Sequence, residues 1–262
     1  MARMQLFEWE DLPWFPTSMR GYMTDYLRVV GEQLRLFENL TPQLAEVMRR
    51  MGTHRIVDLC SGSGGTLPML IPGLERALGE RVEGVLSDLY PNIAALGAAA
   101  SASEGRLSVI AEPVNAASVP ADLEGVRTLF LGFHHLPDHA ARAVLEDAVA
   151  QRRGIAVFEA TERSALGILG PLTAPLILVP MTPTLRPVSL ARVFWTYGIP
   201  AIPFFSAWDG VVSALRTRSP AELHALVASV KGGEGYTWDI GQSPIPKTPA
   251  RTTWLFGWPS DR

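Results

Sequence analysis

Read by its apolar and polar positions, the chain changes character near residue 50. Before that point the spacing is helical: Tyr22, Tyr26, Leu27, Val30, Leu34 and Leu36 recur at mixed three- and four-residue intervals. The segment "LTPQLAEVMRRMG" follows, with Thr41 as N-cap, Pro42 at the first helical position and Gly52 as a stop. Beyond it, short apolar runs alternate with amphipathic stretches. "RIVDLC", "VEGVLSDL", "LSVIAEPV", "VRTLFLGFHHL" and "GIAVFEAT" read as strands, and "TLPMLIPGLERALG", "PNIAALGAAASASEG" and "DHAARAVLEDAVAQR" as helices. This alternation predicts a mostly parallel, doubly wound α/β sheet with helices on both faces. Several runs are apolar throughout, as strands buried on both sides are.

Residues 163–208 break the rhythm with an apolar, Pro-rich and aromatic stretch that we read as an inserted helical cap. Within it residues 165–181 carry no charge, but Pro171, Pro175 and Pro180 are expected to interrupt a membrane span. A short helix, "SPAELHALVASV", follows with Ser219 as N-cap and Pro220 first. Residues 236–259 then read as two antiparallel strands joined by a Pro-containing loop. The expected organisation is an N-terminal helical lid over 1–50, a Rossmann-like core over 51–162, the cap over 163–218, and a helix with antiparallel strands over 219–262 that complete a seven-stranded core.

Composition narrows the function. The chain has 262 residues, 47 % hydrophobic and 19 % charged, so it can bury a sizeable core. A net charge of −3 and the lack of any Lys/Arg run argue against a nucleic-acid partner. Cys60 is the single cysteine, which rules out an intrachain disulfide and points to a reducing, cytoplasmic setting. The first residues lack the basic and apolar regions of a signal peptide.

The chemistry concentrates in "RIVDLCSGSGGTLPML". A strand ending in Asp58, a turn with Gly62, Gly64 and Gly65, and then a helix make a nucleotide-type site, because glycine lets the backbone turn tightly and approach a ligand. Asp88, ending the second strand, has the place and chemistry to grip two ribose hydroxyls. The turn lacks the G-x-G-x-x-G spacing of a nicotinamide site. It resembles motif I of class I S-adenosylmethionine-dependent methyltransferases, written acidic-x-Gly-x-Gly-x-Gly, with Asp58, Cys60, Gly62 and Gly64 on those places. "EPVNAASVP" resembles the adenine-contacting segment, "LFLGFHHLPD" the fourth strand and its sequel, and "TTWLFGWP" the reversed terminal strand.

The resemblance is to the small-molecule members. It implies S-adenosyl-L-methionine as cofactor, S-adenosyl-L-homocysteine as product, and a cofactor site of Asp58, Cys60, Ser61, Gly62, Gly64, Asp88, Leu89, Asn115, Ala116 and Phe133. Cys60 stands where the family has glycine, and Asn115 where it usually has Asp. In such members N-terminal helices close over the cofactor, which by resemblance makes Arg20, Tyr22 and Tyr26 candidates for its carboxylate.

Methyl transfer is an in-line displacement that depends chiefly on positioning. A base is needed only if the acceptor proton must leave. His134, His135 and Glu159 lie where ligands bind, at the carboxyl edge of the sheet, and are the candidate catalytic residues. Asp209 follows the cap and is a further group within reach. The His and Cys spacings suggest no metal. Trp14, Phe194, Tyr197 and Trp208 are the expected substrate contacts, and Arg186 and Arg192 could hold an acidic group on the substrate. An apolar cap suits a hydrophobic small molecule, such as a secondary metabolite, lipid or quinone. The same surface suits peripheral membrane contact or a dimer interface, so monomer and homodimer both stay open. Two other functions remain: non-methylating chemistry on the same cofactor (cyclisation, rearrangement or elimination), and cofactor-less binding.

Overall fold

The computed structural model describes residues 1–186, 188–245, 248 and 250–260. Its centre is one seven-stranded sheet in the order β3-β2-β1-β4-β5-β7-β6. The strands β1 (Arg55–Leu59), β2 (Glu83–Leu86), β3 (Leu107–Val109), β4 (Val126–Phe130) and β5 (Ile155–Glu159) run parallel. The last two, β6 (Tyr236–Pro244) and β7 (Arg251–Pro259), form a hairpin that joins β5 antiparallel. Residues 246, 247 and 249 of its expected proline loop lie outside the described residues. The winding direction reverses between β1 and β4, which puts the ligand-binding crevice of such a sheet at the carboxyl ends of those two strands.

The helices are α1 (Thr17–Leu34), α2 (Thr41–Arg50), α3 (Leu67–Leu78), α4 (Ile93–Ser101), α5 (Asp138–Ala150), α6 (Ala165–Met181), α7 (Leu190–Val193), α8 (Ala201–Arg216) and α9 (Pro220–Ala228). On one face α2 and α3 bury Leu44, Met48, Leu70 and Leu74 with Phe130, Phe158 and Phe256 of the sheet. On the other, Val144 and Leu145 of α5 and Leu223 and Leu226 of α9 pack on Val57, Leu129 and Leu255. Every residue of β4 and β5 is buried, as their continuous apolar runs imply. A third cluster, Phe15, Met19, Met23, Tyr26, Leu178 and Ile202, joins α1 to the cap helices α6 and α8.

Two local expectations change. Thr41 is not an N-cap: its backbone is already helical, because a 3-10 turn over Glu38–Leu40 runs straight into α2 and supplies the preceding turn. The prolines do not interrupt the apolar stretch either. The helix α6 is continuous through Pro171, Pro175 and Pro180, with Ser164 as its side-chain cap. Packing on α8 overrides the local cost, and Gly210 there lets Pro171 approach so closely that an added Cβ would lie 2.8 Å away. Among the described residues one helical stretch, Ala165–Thr184, is long and apolar enough to cross a membrane.

Candidate functional site

The chain leaves β1 through a tight left-handed turn. Cys60, Gly62 and Gly64 have φ of 59°, 55° and 72°. For an L side chain that conformation costs about 1–2 kcal/mol, and Cys60 alone of the three carries that cost. A Cβ on Gly64 would lie 3.1–3.3 Å from Leu86, Leu96 and Ala99, so this glycine seats α4 against the turn. A Cβ on Gly62 would meet nothing within 4 Å, so the turn is open there. Ser61 fixes the turn: its N–H donates to the Ser87 carbonyl at 3.0 Å and its Oγ to Asp58 Oδ2 at 2.8 Å.

Asp58 faces into the sheet. Its Oδ1 accepts from Thr128 Oγ1 on β4 at 2.7 Å. Burial pushes its carboxyl up to about 7, against the lowering hydrogen bonds from Thr128 and Ser61, and the nearby charge of Asp88 adds to the rise. Burial likewise pushes the Cys60 thiol up to about 12, helped by the carboxylates of Asp88, Asp58 and Glu159. A nucleophilic thiolate is therefore unavailable.

Asp88 stands half-buried at the end of β2 and closes on the open side of the turn. Its Oδ2 accepts from the Gly62 N–H at 2.9 Å and its Oδ1 from the Tyr90 N–H at 2.9 Å. Its own carbonyl accepts from the Val114 N–H at 2.8 Å, which brings in the loop after β3. On that loop the exposed Asn115 folds its Oδ1 onto the Ala117 N–H at 2.9 Å, and Ala116 is buried. Leu89 is exposed. From above, Arg28 of α1 crosses the turn, and a Cβ on Gly65 would come within 2.9 Å of its Cγ. An open glycine cradle beside a carboxylate fits a nucleoside with paired hydroxyls.

The turn after β4 lies against the turn after β1: a Cβ on Gly132 would sit 3.0 Å from the Cβ of Cys60. Leu131, at φ 56°, swings the chain out of the strand into a 3-10 turn over Phe133–His135. His134 is buried and locked to β5. Glu159 Oε1 accepts its backbone N–H at 2.9 Å, and Oε2 pairs with Nδ1 at 2.7 Å. His135 stacks beside it at 4.3 Å between ring centroids, and its Nδ1 meets Asp11 Oδ1 at 2.9 Å. The catalytic candidates therefore do come together.

Over them lies a strap formed by the first fifteen residues. Asp209 accepts the N–H groups of Trp9 and Glu10 at 2.8 and 3.2 Å, and Trp208 donates to the Phe7 carbonyl at 3.1 Å. Glu8 is buried against the histidines, accepts a hydrogen bond from Ser213 Oγ at 3.1 Å and forms an ion pair with Arg216 Nη1 at 3.2 Å. Burial pushes Glu8 up to about 7, Glu10 to about 8 and Asp209 to about 6. For Asp11 burial acts in the same direction, but hydrogen bonds from His135 and Arg216 win and hold it well below the usual range.

Other expected contacts lie elsewhere. Arg20 donates to the Glu10 and Leu12 carbonyls, Tyr22 bonds Ser189, and Tyr26 is buried against α6; all three brace lid and cap. Phe133 is core, under the Arg218 guanidinium at 5.1 Å. Trp14, Phe194 and Tyr197 are exposed, and Trp208 pins the strap. Arg192 is buried on Asp25 and the Leu185 carbonyl, while Arg186 is exposed. Sequence reading missed Arg28, Thr128, Glu8, Asp11 and Arg216. Thr128 held a signal, as a polar residue inside a strand buried on both sides.

No family model and no curated protein matches this sequence. Solved structures do. One is an O-methyltransferase family protein from Burkholderia thailandensis, at 16 % identity over 87 % of this chain and 57 % of that one, with a TM-score of 0.46. The mitomycin 7-O-methyltransferase shares 14 % over 86 % and 54 %, with a TM-score of 0.48. A magnesium protoporphyrin IX methyltransferase from Synechocystis PCC 6803, solved with bound SAH, shares 10 % over 88 % and 87 %, at 0.46. The chain thus spans little more than half the length of the first two. What identifies the architecture is its own sheet, five parallel strands with the switch beside β1 and a reversed β7 inserted next to β5. This is a doubly wound, Rossmann-like α/β fold.

Proposed function

We propose that this chain is an S-adenosylmethionine-dependent methyltransferase acting on a hydrophobic small molecule. The observation that carries the reading is the meeting of the open Gly62 cradle with Asp88 at the carboxyl edge of β1 and β2. Asp88 would hold the ribose hydroxyls, Gly62 and Gly64 would let the backbone approach, and Asn115 would face the base. When bound, the cofactor supplies an electrophilic methyl carbon on a sulfonium. The chain's own part is to position an acceptor and keep water out. The substrate side is the neighbouring edge of β4 and β5, where Glu159 orients His134 under the strap and the apolar cap.

Calorimetric titration with S-adenosylmethionine and S-adenosylhomocysteine tests this. Wild type binds at micromolar level. Asp88→Ala loses about 2 kcal/mol or more, the scale of hydrogen bonds to a charged acceptor, with its melting transition retained. Equal binding by the variant, or none by a folded wild type, refutes the assignment. Incubation with candidate acceptors and mass analysis then reads the reaction: S-adenosylhomocysteine means transfer, and methylthioadenosine or unchanged cofactor means the non-methylating chemistry.

A further inference from the structure

We propose that Glu8, His134 and His135 form a binding site for a divalent first-row transition metal. The sequence gives no hint of it, because Glu8 is remote in the chain and adjacent histidines are not a metal signature. The fold brings one ligand atom from each within 4.8 Å of the others.

The strongest sign is His134 Nε2. It is buried, it has no hydrogen-bond partner among the described residues, and it points at Glu8 Oε1 3.8 Å away. With the Nδ1 proton given to Glu159, Nε2 carries a lone pair, so two electron-rich atoms face each other across a gap that wants a positive centre. A carboxylate gripping the far ring nitrogen is also how metal-binding imidazoles are usually oriented. His134 Nε2 lies 3.8 Å from Glu8 Oε1 and His135 Nδ1 lies 3.5 Å from Glu8 Oε2. Ligand atoms about 2.1 Å from a tetrahedral ion stand about 3.4 Å apart, so the three side chains close in slightly when the ion binds.

Charge favours the same occupant. Glu8 and Asp11 share the guanidinium of Arg216, at 3.2 and 2.7 Å from Nη1. Asp209 and Glu159 are satisfied by N–H groups and imidazole. A buried region this acidic gains from another cation. Binding has a proton balance: the His135 Nδ1 proton that is shared in the hydrogen bond to Asp11 moves to Nε2 of the same partly exposed ring, and any proton on the Glu8 carboxyl is released to solvent. Asp11 is left beside the ion, and Arg216, 3.3 Å from His135 Nδ1, must draw back. Two imidazoles and a carboxylate suit zinc, iron or cobalt and leave a coordination position for water or an oxygen ligand.

The test uses the whole, untagged, chelator-treated chain, with Zn2+ followed by calorimetry and Co2+ by visible absorption. Wild type takes up one equivalent of each. Glu8→Gln and His135→Gln each weaken binding ten-fold or more, with metal-free melting near wild type. Pulsed electron paramagnetic resonance of Cu2+-loaded wild type, which needs no variant, shows nitrogen couplings from two imidazoles. The proposal falls if folded wild type binds neither Zn2+ nor Co2+, if both variants bind as wild type does, or if Cu2+ shows fewer than two imidazoles. All three readouts are made without S-adenosylmethionine, so loss of the methyltransferase reading and loss of this site are separate outcomes.

Discussion

Asp58 shows how one residue can be read correctly in place and incompletely in role. Its position at the end of β1 is visible in the sequence; its partner Thr128 is visible only once β4 lies beside it. The carboxyl binds its proton more tightly folded, at about 7, than in an unfolded chain, at 3.8. The native state therefore holds more protons through that window. Its contribution is complete below about pH 4 and is lost as pH rises to about 7, by up to about 4 kcal/mol. Asp58→Asn keeps the shape and removes the titration. Denaturant unfolding from pH 4 to 8 should show the variant gaining on wild type across that window, and parallel pH profiles would disprove the carboxyl's role. Cys60 gives a second residue-level test. With its thiol pushed up to about 12 and packed against the turn after β4, it should resist a thiol reagent in the native protein at neutral pH. One thiol should then react promptly in denaturant.

At the scale of elements, periodicity served well where a segment's own burial decides its conformation. The strands β1, β4 and β5 and the helix α5 follow their apolar patterns, and Ser219 caps α9 in a full capping box with Glu222. It served poorly where a neighbour decides. Prolines that should have ended α6 are carried by α8, and the end of β4 depends on Leu131 taking a left-handed conformation that no local pattern demands. The strap is the extreme case: Glu8 and Asp11 mean nothing until Arg216 and the histidines surround them. The C-terminal hairpin is held by reciprocal pairs, Trp254 over Gly241 and Trp238 over Gly257, where an added Cβ would come within 2.4 Å of either ring. Gly257→Ala should therefore cost about 1–3 kcal/mol through displacement of Trp238. A denaturation midpoint equal to wild type would show that the indole moves freely.

Taken whole, the molecule has a well-filled sheet domain and a cap that keeps much apolar surface outside. On α6, Leu172, Leu176 and Ile177 are 57 %, 75 % and 56 % exposed, so they contribute little to folding and leave a broad apolar face. Replacing Leu172 and Leu176 together by Gln should leave stability within about 1 kcal/mol. It should also raise the protein concentration at which light scattering first detects association. If scattering does not change, this face is not what drives self-association.

The strap also has a history in time. The N–H of Trp9 is satisfied by a carboxylate 200 positions further along the chain. At synthesis rates of about 5–20 residues per second, Glu8, Trp9 and Asp11 wait about 10–40 s for Asp209 and Arg216 to emerge from the ribosome. During that interval the sheet strands β1 to β5 are made with the His134–His135 edge uncovered. The site closes only when α8 has been made and reaches back to Glu8 and Trp9, so a nascent chain stalled before α8 would display both histidines without their cover.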